Sequence, residues 1–259
     1  MPSKTYRVEQ LKVEEYNSEK ELAQGAAQAV QNYLKSLLEE KGQANLILAT
    51  GKSQLNFLDE LLTLGGLDWS RITCFHLDEY LGISANHKAS FRHYLKEKVE
   101  KRFSPRKFHY LEGDTIEPVK ECDRYTALLQ AQPLDLCCLG IGENGHLAFN
   151  DPYVSNFNDS YWVKLVKLDQ LNRQQQVNQG HFDTLQAVPN YAFTLTITTI
   201  CTAAKIICLA PELRKAAVVK KMLLGDISTS CPASILRRKA NATLFIDRDS
   251  ASLLPEQAS

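Results

Sequence analysis

Short apolar runs alternate with amphipathic stretches along the chain, and the two patterns predict different elements. Runs that are almost wholly apolar predict strands that are covered on both faces. Apolar residues that recur every three or four positions predict helices. The strands are predicted at 5–13, 44–50, 72–77, 107–112, 134–141, 193–200 and 204–210, and a last apolar segment covers 242–254. The helices are predicted at 19–42, 53–66, 90–103, 117–133 and 212–225.

This alternation indicates an α/β fold with a mainly parallel sheet and helices on both faces. No linker, repeat or low-complexity stretch interrupts the pattern, so we expect a single domain over residues 1–259. In such a sheet, ligands bind outside the carboxyl ends of the strands, near the point where the strand order reverses. The polar residues at these strand ends are therefore the candidates for function.

The amino-acid composition restricts the kinds of partner that we expect this protein to bind. Of the 259 residues, 44% are hydrophobic and 23% are charged, as in ordinary globular proteins. Lys and Arg together number 30, as do Asp and Glu, so the basic excess typical of proteins that bind nucleic acid or anionic membranes is missing. We expect no nucleic-acid partner and no membrane partner, while a local site for a small anion stays compatible with this charge.

The N-terminus and the cysteines indicate a cytoplasmic protein. The first ten residues are charged and lack the apolar core of a secretory signal, and no apolar run approaches the roughly 20 residues that cross a bilayer. The seven cysteines form no CxxC pair and fall mostly in or beside apolar segments. We interpret them as buried thiols in a reducing compartment, and we expect neither a disulfide framework nor a zinc site.

The first polar strand end is residues 49–53, ATGKS, between a strand and a helix. The N–H groups at a helix N-terminus bind phosphate, Gly51 would let the backbone approach, and Thr50 and Ser53 carry hydroxyls. The segment is not a Walker A loop, which requires GxxxxGK[ST]. The alternative is that Ser53 caps the helix and Gly51 forms a turn. These residues alone leave both interpretations open.

The second strand end carries two adjacent acids, Asp78 and Glu79. Neighbouring residues of a strand point to opposite faces, so only one of them can face a given crevice. A carboxylate that is partly desolvated there can gain the raised pKa of a general base, and Asp78 is our candidate. The alternative is a pair of solvated loop residues.

The third strand end contains Gly140, Gly142 and Gly145, which match GxGxxG. A dinucleotide fingerprint would continue straight into a helix, and the residues that follow, HLAFNDP, show no helical pattern. His146 lies in this turn with Asn144 before it and Asp151 after it. That composition is typical of an acid–base relay in which a carboxylate orients an imidazole, although a structural loop histidine is the alternative.

Together these segments resemble the glucosamine-6-phosphate deaminase (isomerase) family, over nearly the whole chain and in the same order. The segments that carry the resemblance are LATGKSQ (48–54), FHLDEYLGI (75–83), LGIGENGHLAFNDP (139–152), VPNYAFTLTI (188–197), ELRKA (212–216) and CPASILRRKANATLFID (231–247). The resemblance implies a Rossmann-like fold without nucleotide, with no metal and no organic cofactor. It implies conversion of glucosamine 6-phosphate, a small sugar phosphate, and water to fructose 6-phosphate and ammonia, with a homo-oligomer as a possible assembly.

The resemblance also assigns roles to individual residues. Asp78 matches the family's base, which moves a proton between C2 and C1 through an enediol-type intermediate. His146 matches the histidine that assists ring opening, with Asp151 and Asn144 at the positions of its carboxylate partners. Thr50, Gly51 and Ser53 match the phosphate loop, Lys215 matches the phosphate lysine, and Lys52 and Gly142 complete the expected substrate site. Residues 155–187 correspond to a segment that acts as a lid.

Several positions depart from the family pattern. Its best-known members have Asp where this chain has Asn144, and Glu where it has Asp151. They also have an arginine that contacts phosphate before the VPNYA segment, where this chain has Gln179 near the expected place and no arginine. We hypothesise that Lys52 supplies that charge. The residues after Asp151 lack the basic cluster of the allosteric members, so we expect no activation by N-acetylglucosamine 6-phosphate.

The departures leave alternative functions open. Galactosamine 6-phosphate, which differs only at C4, is an alternative substrate. A 6-phosphogluconolactonase shares the fold and the GxGxxGH pattern, but its loop usually continues with TASLFPG rather than LAFNDP. A non-catalytic sugar-phosphate sensor is the third alternative, because this fold also occurs as an effector domain of transcription regulators.

Overall fold

The computed structural model describes residues 1–178 and 180–255. Its strands are β1 (Lys4–Val8), β2 (Leu11–Tyr16), β3 (Ala44–Leu48), β4 (Ile72–His76), β5 (Asp78–Tyr80), β6 (Lys107–Phe108), β7 (Leu136–Gly140), β8 (Val163–Lys167), β9 (Tyr191–Leu195), β10 (Lys205–Ala210) and β11 (Ala242–Asp247). Its α-helices are α1 (Glu19–Lys41), α2 (Lys52–Leu64), α3 (Phe91–Leu95), α4 (Lys101–Phe103), α5 (Pro118–Gln130), α6 (Gln170–Asn178), α7 (Ile197–Ile200) and α8 (Ala216–Leu224). A π-helical turn, Lys96–Glu100, joins α3 to α4, and 3₁₀ turns cover Trp69–Arg71, Leu185–Ala187, Leu213–Lys215 and Pro232–Arg238.

The main sheet is mostly parallel. In the described part of the chain it has eight strands in the order β1-β2-β11-β10-β7-β3-β4-β6, and only the β1–β2 pair is antiparallel. A second sheet is antiparallel, with the order β5-β9-β8. The predicted α/β fold with a mainly parallel, Rossmann-like sheet is confirmed.

The sheet has a hydrophobic core on each face, because consecutive residues of a strand point to opposite sides. Cys137 of β7 belongs to one core, together with Tyr125 of α5. Its neighbour Cys138 belongs to the other core, together with Leu34 of α1. Helices therefore cover both faces of the sheet, and this coverage explains why the central strands are apolar throughout.

Three predicted strand bounds are wrong. The single strand predicted at 5–13 is the antiparallel β1–β2 hairpin, which turns at Glu9 with a φ of 52°. The strand predicted at 193–200 stops at Leu195, because the hydroxyl of Thr196 accepts the N–H of Thr199 at 3.2 Å and caps α7. The strand predicted at 107–112 covers only Lys107–Phe108.

The strand order places the three polar strand ends side by side. Strands β7, β3 and β4 are neighbours and run parallel. After β3, the next strands of this sheet along the chain, β4 and β6, lie on one side of β3. The later strands, beginning with β7, lie on the other side of β3. The order therefore reverses between β3 and β7, where parallel α/β sheets hold their ligands. Among the described residues, no helix has both the length and the apolar character needed to cross a membrane.

Candidate active site

A cavity of about 800 Å³ opens at the carboxyl ends of the central strands. It collects residues from loops that are far apart in the sequence. Eight of the predicted site residues line it: Thr50, Gly51, Lys52, Ser53, Asp78, Gly142, His146 and Lys215. The other two, Asn144 and Asp151, lie directly behind His146 and contact its ring. The structure thus brings together all ten predicted residues.

The loop after β3 forms one wall of the cavity. Gly51 adopts a φ of 110°, a conformation that residues with a side chain rarely adopt, and it precedes α2. No side chain caps this helix, so its first N–H groups stay available to a ligand. Ser53 lies inside the first turn rather than at the N-cap, which argues against the alternative that Ser53 serves as the cap. The loop has the backbone of an anion site.

A buried lysine lines the same cavity. Lys215 is 6% exposed, and its Nζ donates a hydrogen bond to the carbonyl oxygen of Ile141 at 2.6 Å. Burial, reinforced by the charge of Arg214, lowers the pKa of Lys215 to about 8. Lys52, by contrast, is largely exposed, and its Nζ lies 3.9 Å from Glu212. Gln179 lies outside the described residues.

Asp78 faces the cavity and Glu79 faces away from it. Asp78 is 8% exposed, and burial together with the negative charge of Glu79 raises its pKa well above the usual range of an aspartate. Glu79 is fully buried and accepts hydrogen bonds from the start of α3, including the hydroxyl of Ser90 at 2.7 Å and the N–H of Arg92 at 2.9 Å. The strand geometry thus separates a carboxyl group that lines the cavity from one that is held by the start of α3.

His146 is oriented by two side chains behind it. Its Nδ1 lies 2.8 Å from Oδ1 of Asn144 and 3.1 Å from Oδ1 of Asp151, while Nδ2 of Asn144 donates to Asp151 at 2.8 Å. Both oxygens accept hydrogen bonds, so the proton of the neutral ring lies on Nδ1. Nε2 is then the atom with a free lone pair for a reacting group.

Gly142 makes room for the imidazole. A Cβ atom at this position would lie 2.2 Å from Nε2 of His146, which is an impossible contact. The residues after β7 form turns, and the next regular element is β8, so the loop does not continue into the helix that a dinucleotide fingerprint requires. Within the described residues, no cluster of three or more His, Cys, Asp or Glu side chains is arranged to hold a metal ion.

The structure adds residues that the sequence analysis did not select. Arg214 lines the cavity between two acids: its Nε lies 2.9 Å from Glu212 and its Nη1 lies 3.7 Å from Glu143. The sequence feature that could have identified Arg214 is its position next to Lys215 in the ELRKA segment. Gln176 and His181 of residues 155–187 also line the cavity. No motif marked them, because they reach the cavity only through tertiary folding.

Comparison with known proteins identifies the family. The sequence profile described as glucosamine-6-phosphate isomerases/6-phosphogluconolactonase matches residues 17–245. A glucosamine-6-phosphate deaminase of Bacillus cytotoxicus is 34% identical over 239 residues, 92% of this chain and 87% of the relative. Another, from Exiguobacterium sibiricum, is 36% identical over 211 residues, 82% of this chain and 81% of the relative.

Solved structures agree with this assignment. A monomeric glucosamine-6-phosphate deaminase superposes with a TM-score of 0.84 at 32% identity, covering 93% of this chain and 99% of that one. A 6-phosphogluconolactonase from Thermotoga maritima superposes with a TM-score of 0.74 at 21% identity, covering 91% and 99%, and this likeness concerns the fold alone. The chain belongs to the glucosamine-6-phosphate isomerase/6-phosphogluconolactonase family.

Proposed function

We propose that the protein converts glucosamine 6-phosphate and water to fructose 6-phosphate and ammonia. The observation that carries this proposal is the meeting of Asp78, His146 and Lys215 in one cavity. A buried carboxyl group, an oriented imidazole and a buried cation are the three groups that this reaction needs. The named activity of the relatives at 34–36% identity supports the same assignment.

The phosphate group of the substrate binds at the β3–α2 loop and Lys215. The free N–H groups at the start of α2 and the positive end of the helix dipole attract a dianion. The side chain of Lys215 is held close to the cavity by its hydrogen bond to Ile141. We also retain the hypothesis that Lys52 contributes a second positive charge from the rim of the cavity.

Ring opening is the task of His146. Nε2 takes the proton from the hydroxyl on C1 and returns it to the ring oxygen as the C1–O5 bond breaks, which leaves an aldehyde. The imidazolium that forms in between is stabilised by Asp151, whose Oδ1 lies 3.1 Å from Nδ1. Asn144 donates to the same carboxylate and fixes its position.

Asp78 carries out the carbon chemistry. Its carboxylate takes the proton from C2, which the neighbouring aldehyde acidifies. The electron pair forms a C1–C2 double bond while the C1–O1 double bond opens to a hydroxyl, which takes its proton from water. The same carboxyl group returns the proton to C1, which leaves an imine at C2. Water then adds to C2 and ammonia departs, leaving the ketone. The raised pKa of Asp78 increases its basicity toward a carbon acid.

Ammonia release tests the proposal. Purified protein is given glucosamine 6-phosphate and, separately, galactosamine 6-phosphate, with Asp78→Asn as the control, and hydrolysis of 6-phosphogluconolactone is measured in parallel. We expect ammonia from an amino-sugar phosphate and none from the variant. Absence of ammonia from both sugars rejects the proposal, and lactone hydrolysis in its place would assign the protein to the other activity of its family.

The proposal also covers the cellular location and the domain organisation of the enzyme. We propose a cytoplasmic enzyme that consists of a single domain, in keeping with its seven free thiols, most of them buried. The sequence leaves the oligomeric state open between a homo-oligomer and a monomer, which is how one solved relative is described. Sedimentation of the purified protein distinguishes the two states.

A further inference from the structure

Gln176 and His181, which we call the lid pair, line the cavity and contact each other. Nδ1 of His181 lies 2.9 Å from Oε1 of Gln176. An amide oxygen only accepts, so this contact places the ring proton on Nδ1 and leaves Nε2 as an acceptor. The amide nitrogen of Gln176 supplies two N–H donors. The pair therefore offers a donor and an acceptor without a full charge.

The surroundings favour the neutral form of the lid pair. Partial desolvation, and then the charge of Lys88, lower the pKa of His181. Lys88 lines the cavity as well, and its Nζ lies 3.4 Å from the carboxylate of Asp183. Neutral donors and acceptors suit hydroxyl groups better than they suit a phosphate dianion, which prefers cations and charge-assisted hydrogen bonds.

The lid pair is anchored to the strand that carries the base. Phe182, next to His181, packs edge-on against Tyr80 with ring centroids 5.6 Å apart. Tyr80 lies two residues after Asp78 on β5, so both side chains point to the same face. The contact holds the lid pair at a defined place relative to the reacting carbons, which is the requirement for reading substrate stereochemistry.

This inference rests on the proposed function, which already assigns most of the substrate. The C6 phosphate lies at the β3–α2 loop, C1 and C2 lie at Asp78, and the ring oxygen lies at His146. The hydroxyls on C3 and C4 are the polar groups left without a partner. We propose that the lid pair binds these hydroxyls and discriminates between substrates that are epimers at C4.

Two variants test the role of the lid pair. Gln176→Leu keeps the approximate size of the side chain and removes its polar atoms, and His181→Ala removes the imidazole. For each variant, kcat/KM of ammonia release is measured with glucosamine 6-phosphate and galactosamine 6-phosphate. The affinities of both sugars are also measured calorimetrically in an Asp78→Asn background. We expect the preferred epimer to lose about tenfold in kcat/KM and in affinity, the size of one hydrogen bond, and the ratio between epimers to move toward one.

His87→Ala is the matched control. His87 stacks on Phe182 of the same segment with ring centroids 5.4 Å apart, and it is not among the residues that line the cavity. This change removes one ring contact of Phe182 but keeps its contact with Tyr80, which positions the lid pair, and it removes no group from the cavity, so we expect the epimer ratio to stay constant.

The outcomes separate this inference from the proposed function. An enzyme that uses both epimers equally, an unchanged ratio in both lid-pair variants, or an equal change in His87→Ala overturns the inference while leaving the deaminase activity in place. Absence of ammonia release from both sugars in the unmodified protein overturns the proposed function, and this inference with it.

Discussion

Replacement of Glu79 by glutamine tests how the fold prepares Asp78. The carboxylate of Glu79 is fully buried and accepts the N–H groups of Tyr80, Phe91 and Arg92, together with the hydroxyl of Ser90, at 2.7–3.1 Å. Its Oε2 also lies 3.4 Å from Nε of Arg92. Glutamine presents N–H groups to some of these donors, so two of the four contacts are lost and Arg92 loses a buried counter-charge.

The size of the effect follows from these contacts. Removal of one partner of a buried ion pair costs about 3–5 kcal/mol, and a hydrogen bond to a charged group contributes about 1.5–3 kcal/mol. Because Arg92 keeps its ion pair with Asp114 at 2.8 Å, we expect Glu79→Gln to lower the free energy of unfolding by about 3 kcal/mol, measured by urea denaturation. A loss below about 1 kcal/mol would contradict this account of the site.

The same variant changes the pH dependence of activity. The charge of Glu79 contributes to the raised pKa of Asp78, and its removal lowers that pKa. A base works in its ionised form, so activity falls as pH decreases through the pKa of Asp78, and a lower pKa moves this fall to lower pH. We expect the acid limb of kcat/KM for ammonia release to shift to lower pH.

A second buried carboxylate provides the control. Glu121 on α5 accepts the N–H of Glu112 at 2.7 Å and pairs with Arg124 at 2.6 Å, but it does not line the cavity. We expect Glu121→Gln to reduce stability by a smaller amount, because its partner Arg124 is partly exposed, and to leave the acid limb unchanged. An acid limb that stays in place in folded Glu79→Gln, or moves to higher pH, would refute the electrostatic argument.

Four further predictions concern the remaining polar groups of the site. The pKa of Lys215 is about 8, so its charge is present at lower pH and lost above it, and we expect KM to rise as pH increases through about 8. Lys52→Ala should raise KM by about two- to tenfold if Lys52 assists phosphate binding, and an unchanged KM would reject that role. Asn144→Asp places a second carboxylate about 2.8 Å from Asp151. We expect it to raise the pKa of one acid of the pair and to add a step to the acid limb, seen as a changed pH profile. Addition of N-acetylglucosamine 6-phosphate should leave a hyperbolic rate curve unchanged, and a sigmoidal curve abolished by that compound would contradict the prediction.

Much of the architecture was predictable from local pattern. A strand covered by helices on both faces is apolar at nearly every position, so runs such as 44–50 and 134–141 predicted a parallel sheet. The predicted strand bounds were wrong where a single residue changes the backbone direction, as Glu9 does in the β1–β2 hairpin. The cap by Thr196 likewise ended a strand inside a run rich in β-branched residues. The local secondary-structure propensity of the residues does not predict these turns and caps.

The sequence by itself determined the α/β alternation, the three polar strand ends and the family, because these depend on the order of residue types along the chain. Tertiary structure alone decided which side chains share the cavity. It directs Asp78 toward the cavity and Glu79 toward the buried start of α3, and it places Lys215 against the carbonyl of Ile141, 74 positions earlier. It also brought the lid pair to the cavity. Contacts between distant segments follow from the strand order and packing, and no local pattern encodes them.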